Sequence, residues 1–110
     1  MTEGHMYRAV TDFIHEIKES QEFKDYRTQL AQIKEEPKLY ERVNEFRQKN
    51  YIIQHTEDGR DFIERLEELE KEFEDVRAIP LVDDFLAAEL CFCRMMQEIN
   101  EMIWDEIDFQ

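Results

Sequence analysis

Asp12-x-x-His15, Cys91-x-Cys93 and Glu89 are the side chains whose types and spacing could do chemistry. A carboxylate and an imidazole three positions apart lie one turn apart on a helix. Helical bundles hold carboxylate-bridged metals with such pairs, but a second pair must face the first. None is present, since His55 has Ile52 where the acid would stand. Two residues separated by two positions are about 200° apart around a regular helix. The thiols of Cys91 and Cys93 therefore cannot chelate one ion there, and the expected role of both is as small core side chains. The three histidines stand in no recognisable Ser/His or Cys/His arrangement, and no glycine-rich phosphate loop occurs. Glu89 lies between Ala88 and Leu90 in the most apolar part of the chain, where an unpaired charge is costly. Two readings of it stay open: a carboxylate on the wet edge of its helix, or a buried partner of an Arg, a Tyr or a backbone amide. The expectation is a protein with no catalytic residue, no metal ligand and no cofactor.

The elements that position these residues are read as helices. Two glycines and two prolines in 110 residues leave little turn punctuation, which favours a few long helices over many strands. Val10, Phe13, Ile14 and Ile17 recur at helical spacing and predict a first helix over about Tyr7–Glu19. Ser20 has the character of an N-cap for a second helix bearing Phe23, Tyr26, Leu30 and Ile33. Pro37 suits the first turn of a third, with Leu39, Val43, Phe46 and Ile53 along its seam and Asn50 at an expected apolar position. Asp58-Gly59 breaks the pattern, and Asp61 with Glu64 resembles a capping pair. The fourth helix follows, with Phe62, Leu66, Leu69, Phe73 and Val76 alternating spacings of four and three as in a coiled-coil seam. Pro80 ends that element and opens the last helix, with Asp83 and Asp84 set against the positive end of its dipole. The helix reaches Ile107, about 40 Å away at 1.5 Å per residue. The fold class is all-α, about five helices in an antiparallel, bundle-like arrangement. A single domain spans residues 1–110, with 1–6 expected to be flexible.

Within that last helix Phe85–Met96 is apolar at ten of twelve positions. A surface helix of a small domain needs one apolar stripe, so a helix apolar nearly all round must be covered on several sides. A second copy of the chain or a partner protein is the natural cover. Met95, Met96 and Met102 are either core or an adaptable binding surface. The expected interface residues are Phe62, Leu66, Leu69 and Phe73 on the fourth helix. On the last they are Phe85, Phe92, Met96, Ile99, Ile103 and Trp104. Glu89 and Ser20 are expected to be structural polar residues.

Charge is divided unevenly. Residues 1–55 carry nine basic and ten acidic side chains, and residues 56–110 carry five and eighteen, within a net charge of −14. Nucleic-acid binding rests on Lys and Arg neutralising phosphates, so direct contact with RNA or DNA is not expected. The acidic half either solvates outer helix faces and keeps an oligomer soluble or meets a basic protein partner. No run approaches the roughly 18 apolar residues of a membrane span, and the N-terminus has no charged and apolar leader. The expected compartment is the cytoplasm, with no membrane insertion.

Ile17, Ser20, Glu22 and Tyr26 in IKESQEFKDY reproduce an I-x-x-S-x-E-x-x-x-Y segment. Pro37 with Val43-x-x-Phe46, Gly59 at the mid-chain break, and Ile79-Pro-Leu-Val-x-x-Phe-Leu-x-Ala-Glu89 follow in order. Together these segments resemble the YlbF/YmcA family of small bacterial helical proteins, over about Tyr7–Ile107. The resemblance implies an all-helical, oligomeric, cytoplasmic protein without known catalytic activity. It also implies a role in regulating competence, sporulation or biofilm formation. Some members act in a complex that influences mRNA processing through the membrane-anchored endoribonuclease RNase Y, and some are linked to iron–sulfur clusters. This chain shows no cysteine-bearing tail before Gln110, so a cluster is not expected. The leading expectation is a non-enzymatic regulatory protein that binds itself as a dimer or higher oligomer, and with it other family members or an RNase Y-associated complex. The rivals are a purely structural helical scaffold, and a small hydrolase or metal-binding protein using Glu89, His15 or Cys91.

Overall fold

A computed structural model of the chain describes residues 4–56 and 59–108, and these form six helices. They are α1 (Gly4–Glu19), α2 (Gln21–Lys34), α3 (Pro37–Thr56), α4 (Gly59–Glu72), α5 (Glu74–Arg77) and α6 (Pro80–Ile107). The all-helical reading holds, and α6 has the bounds expected from Pro80 and Ile107. The expected break at Asp58 and the expected flexibility of residues 1–3 fall outside the described residues, while α1 already includes Gly4–Met6.

Local chemistry explains the starts. The Ser20 hydroxyl accepts the backbone N–H of Phe23 at 3.2 Å and donates to the Ile17 carbonyl at 2.6 Å. One side chain thus closes α1 and opens α2, satisfying an amide that the first turn leaves without a helical partner. Pro37 and Pro80 each stand first in their helices, where a missing N–H costs nothing. Asp61 lies inside the first turn of α4 rather than at its cap.

The fourth seam does not run straight through. Phe73 has φ −111° and ψ 20°, which separates α4 from the single turn of α5. The backbone ladder nearly bridges the break, with Phe73 N–H to Leu69 O at 3.1 Å and Arg77 N–H to Phe73 O at 2.8 Å. This sixth helix is the departure from the five expected, and its cause is tertiary. The bend turns Phe73 and Val76 inward, where both are buried.

The chain divides into two compact units. The first comprises residues 1–29 and 87–110, and the second runs from Leu30 to Leu86. The second unit holds the core. Leu30, Ile33, Val43, Phe46, Leu69, Phe73, Val76, Val82 and Phe85 are all buried, drawn from five helices. Phe46 and Phe73 meet edge to face, 5.5 Å between centroids. Arg42 and Lys49 lie over the Phe73 ring at 4.5 and 5.6 Å, and Arg77 lies over Phe46 at 5.2 Å. Arg42 also pairs with Asp75 at 3.5 Å, and Lys49 with Glu72 at 2.6 Å. The charged heads of Arg42 and Lys49 on α3 thus lie over the Phe73 ring while pairing with acids of α5 and α4.

The first unit is built differently: among the described residues, none of its side chains is buried. Its organising contact is aromatic. Phe92 of α6 stacks on Tyr26 at 5.6 Å and meets Phe23 edge-on at 5.4 Å, both on α2. Such pairs contribute about 0.5–1.5 kcal/mol beyond area burial, enough to orient two helices but far short of a core.

Candidate protein-interaction surface

The residues that could have done chemistry are not assembled for it. Asp12 and His15 are exposed on α1, and the His55 ring stacks on Tyr51, 4.0 Å between centroids, with Nδ1 2.8 Å from the Tyr51 carbonyl oxygen. Among the described residues, no three His, Cys, Asp or Glu side chains lie close enough together to hold a metal. Glu89 is half-buried, between the two readings its neighbours left open. Cys91 and Cys93 are both exposed. This corrects their expected place in a core. Past Leu86 the last helix belongs to the unit in which no described residue is buried, so its apolar run is only partly covered.

That cover matters because of what remains outside. Twelve large apolar side chains are exposed among the described residues, and nine of them belong to the first unit. On α1, Met6, Tyr7, Phe13 and Ile14 are exposed, with Val10 and Ile17 half-buried beside them. Their spacing at three and four makes one stripe, yet α1 buries nothing. On α6, Leu90, Met102, Ile103, Trp104 and Ile107 are exposed. Nine such side chains of about 200 Å² each, roughly half open, present on the order of 900 Å² of largely apolar surface. That total is divided between α1 and α6, and one side of a standard protein–protein interface is about 800 Å².

The structure sorts the expected interface residues into three groups. Leu69, Phe73 and Phe85 are buried in the second unit's own core. Phe62, Leu66, Phe92, Met96 and Ile99 are half-buried. Ile103 and Trp104 are exposed, by 45 and 47%. The α1 stripe was visible in the sequence as a helical period, but a period alone does not say whether the face is covered.

Between α3 and α4 the second unit carries an open groove of about 350 Å³, lined by Ile52, Ile53, Leu69 and Arg65 among others. The Lys49–Glu72 pair belongs to its lining, so charges of both signs border it. Among the described residues no helix is long and apolar enough to cross a membrane.

Among the described residues, α1 buries none of its side chains and the later part of α6 leaves large apolar side chains exposed. Residues 6–108 match the family described as "Control of competence regulator ComK, YlbF/YmcA". The chain belongs to the YlbF/YmcA family. Similar proteins include a UPF0342 protein of Caldicellulosiruptor bescii, 23% identical over 109 residues that cover 94% of this chain and 92% of that one. A UPF0342 protein of Lacticaseibacillus paracasei is 27% identical over 102 residues, covering 91 and 90%. No solved structure gives a significant match. For this YlbF/YmcA member the description gives a regulatory role, the control of a competence regulator, in line with the expectation from Ile17–Tyr26 and Ile79–Glu89.

Proposed function

We propose that this YlbF/YmcA protein is a non-enzymatic regulator that works in the cytoplasm by binding proteins, beginning with a second copy of itself. The observation that carries the reading is the first unit, which among the described residues has none buried yet holds nine of the twelve exposed large apolar side chains. α1 is the best-suited surface for self-association. Its stripe is continuous, and its charges nearly balance, with Arg8 and Lys18 against Asp12, Glu16 and Glu19. Two copies can therefore meet there without strong repulsion. Light scattering at micromolar concentration should return at least twice the chain mass of 13.5 kDa. A monomer at that concentration would refute self-association.

The finer reading places this assembly in a complex that modulates RNase Y-dependent mRNA processing, and through it competence, sporulation or biofilm formation. In that role it touches proteins, and its effect on RNA is indirect. The net charge of −14 opposes phosphate contact, and binding to nucleic acid rests on a basic patch. Purified protein is expected to leave bare RNA unbound at micromolar concentration, and salt-sensitive binding in a mobility-shift assay would overturn this. Deleting the gene should alter competence and the lifetimes of RNase Y substrates together. Altered competence with unchanged lifetimes would keep the regulator and remove RNase Y from the account.

A further inference from the structure

Met6, Val10, Phe13 and Ile17 recur along α1 at spacings of four, three and four, with Tyr7 and Ile14 seven apart beside them. This is the pattern of a helix whose seam faces another helix. Successive residues turn by about 100°, which sets Arg8, Asp12 and Glu19 on the far side of α1. Glu16 and Lys18 border the seam on opposite edges, so no charge stands within it. Met6, Tyr7, Phe13 and Ile14 lie open by 40 to 63%, on the order of 400 Å² per copy at about 200 Å² for a large side chain. With the half-buried Val10 and Ile17 added, two copies meeting there cover on the order of 1,000 Å², the lower bound of a specific interface.

We propose that α1 pairs antiparallel with α1 of a second copy, across a two-fold axis that passes between Thr11 and Asp12. The pairing rests on the self-association proposed above and assigns its orientation and register. Val10 of one copy faces Phe13 of the other, Tyr7 faces Ile14, and Met6 faces Ile17. Each aromatic or long side chain thus meets a β-branched one, and the two stripes fill each other. A parallel pair in register sets Phe13 on Phe13 and Val10 on Val10, so its layers alternate between crowded and hollow. The helix poles favour the same choice. The first turn of α1 holds no acidic residue, and the antiparallel pair brings Glu16 and Glu19 of the other copy level with it. A parallel pair sets like poles side by side.

Spin labels at three exposed positions seven apart, His5→Cys, Asp12→Cys and Glu19→Cys, read the orientation. Each is placed singly in the full chain carrying Cys91→Ser and Cys93→Ser, which removes the two exposed native thiols. At 1.5 Å per residue, the antiparallel pair separates the two labels along the axis by about 20 Å at positions 5 and 19 and by about 2 Å at position 12. Pulsed electron resonance should therefore return its shortest distance at position 12 and longer ones at both ends. Three equal distances would mean a parallel pair and overturn the proposal. Any other order would move the contact to a different surface, the end of α6 or the α3–α4 groove, and overturn it too. Phe13→Glu should return the mass to 13.5 kDa with circular dichroism unchanged, because α1 buries no side chain of its own. A folded Phe13→Glu chain that stays oligomeric would count against the pairing, and if that variant unfolds the labelled chains still decide. The two readings fail separately. An oligomer with the wrong label pattern keeps self-association and loses the α1 pairing, whereas a monomeric parent loses both.

Discussion

Phe73→Ala should destabilise the folded chain by about 3–5 kcal/mol, the usual cost of emptying a large aromatic site in a core. Phe73 is fully buried, meets Phe46 edge-on, and carries Arg42 and Lys49 over its ring. Removing the ring leaves a cavity and takes from both cations the aromatic face over which their charged heads lie. It also removes the reason for the bend between α4 and α5. A small domain has about 5–15 kcal/mol in total, so the variant should melt far below the parent. Ile63→Ala on α4 is the control. Ile63 is 54% exposed, and its truncation should cost under about 1 kcal/mol. Urea denaturation followed by circular dichroism measures both, and a Phe73→Ala loss as small as that of Ile63→Ala would show that the bend is held by something else.

A second large effect is expected at Val43, which is wholly buried in α3. Val43→Asp places a carboxyl where the described residues bury no polar or charged side chain. Burial disfavours the ionised form and raises the folded-state pKa above the unfolded value of about 3.9. The folded state then holds a proton that the unfolded state releases, so stability falls as pH rises through that interval. Val43→Asn has a similar size and does not titrate. The two variants should be similarly unstable below about pH 4 and diverge above it, the aspartate variant becoming the weaker. Melting temperatures measured from pH 3 to 7 test this. A constant gap between them across that range would mean that the carboxylate reaches a cation or solvent.

Features set by a few neighbouring residues were legible in the sequence. Ser20, Pro37 and Pro80 fix helix starts through their own hydroxyl or ring, and the structure places all three where that chemistry requires. The break at Phe73 was not legible, because Phe62 to Val76 keep an unbroken heptad spacing and only the pull of the core bends the backbone there. Cys91 and Cys93 were misplaced for a related reason. A run of ten apolar residues in twelve resembles a core helix, but burial depends on how many other elements reach it. The first unit lacks them. The surface itself was half legible: the sequence showed that α6 exceeds a single stripe, and only the structure showed that α1 shares the same want of cover. The conflict between apolar pattern and absent burial marks where a local rule gives way to assembly.

The closing turn of α6 has a consequence for motion. Asp108 adopts φ 56° while its N–H still reaches the Trp104 carbonyl at 2.9 Å, a left-handed stop that glycine usually supplies. Asp105, Glu106 and Asp108 lie at the negative pole of the helix, and no basic residue stands in its last turn. Each such charge costs a few tenths of a kcal/mol to about 1 kcal/mol. Amide protection along α6 should therefore fall from Val82 and Phe85, whose opening disrupts the core, to the last residues, which open by fraying alone. One helix thus spans the range from nearly global to nearly free opening. Anything that bound this end would slow exchange there first, coupling how firmly the helix is wound to whether anything is bound.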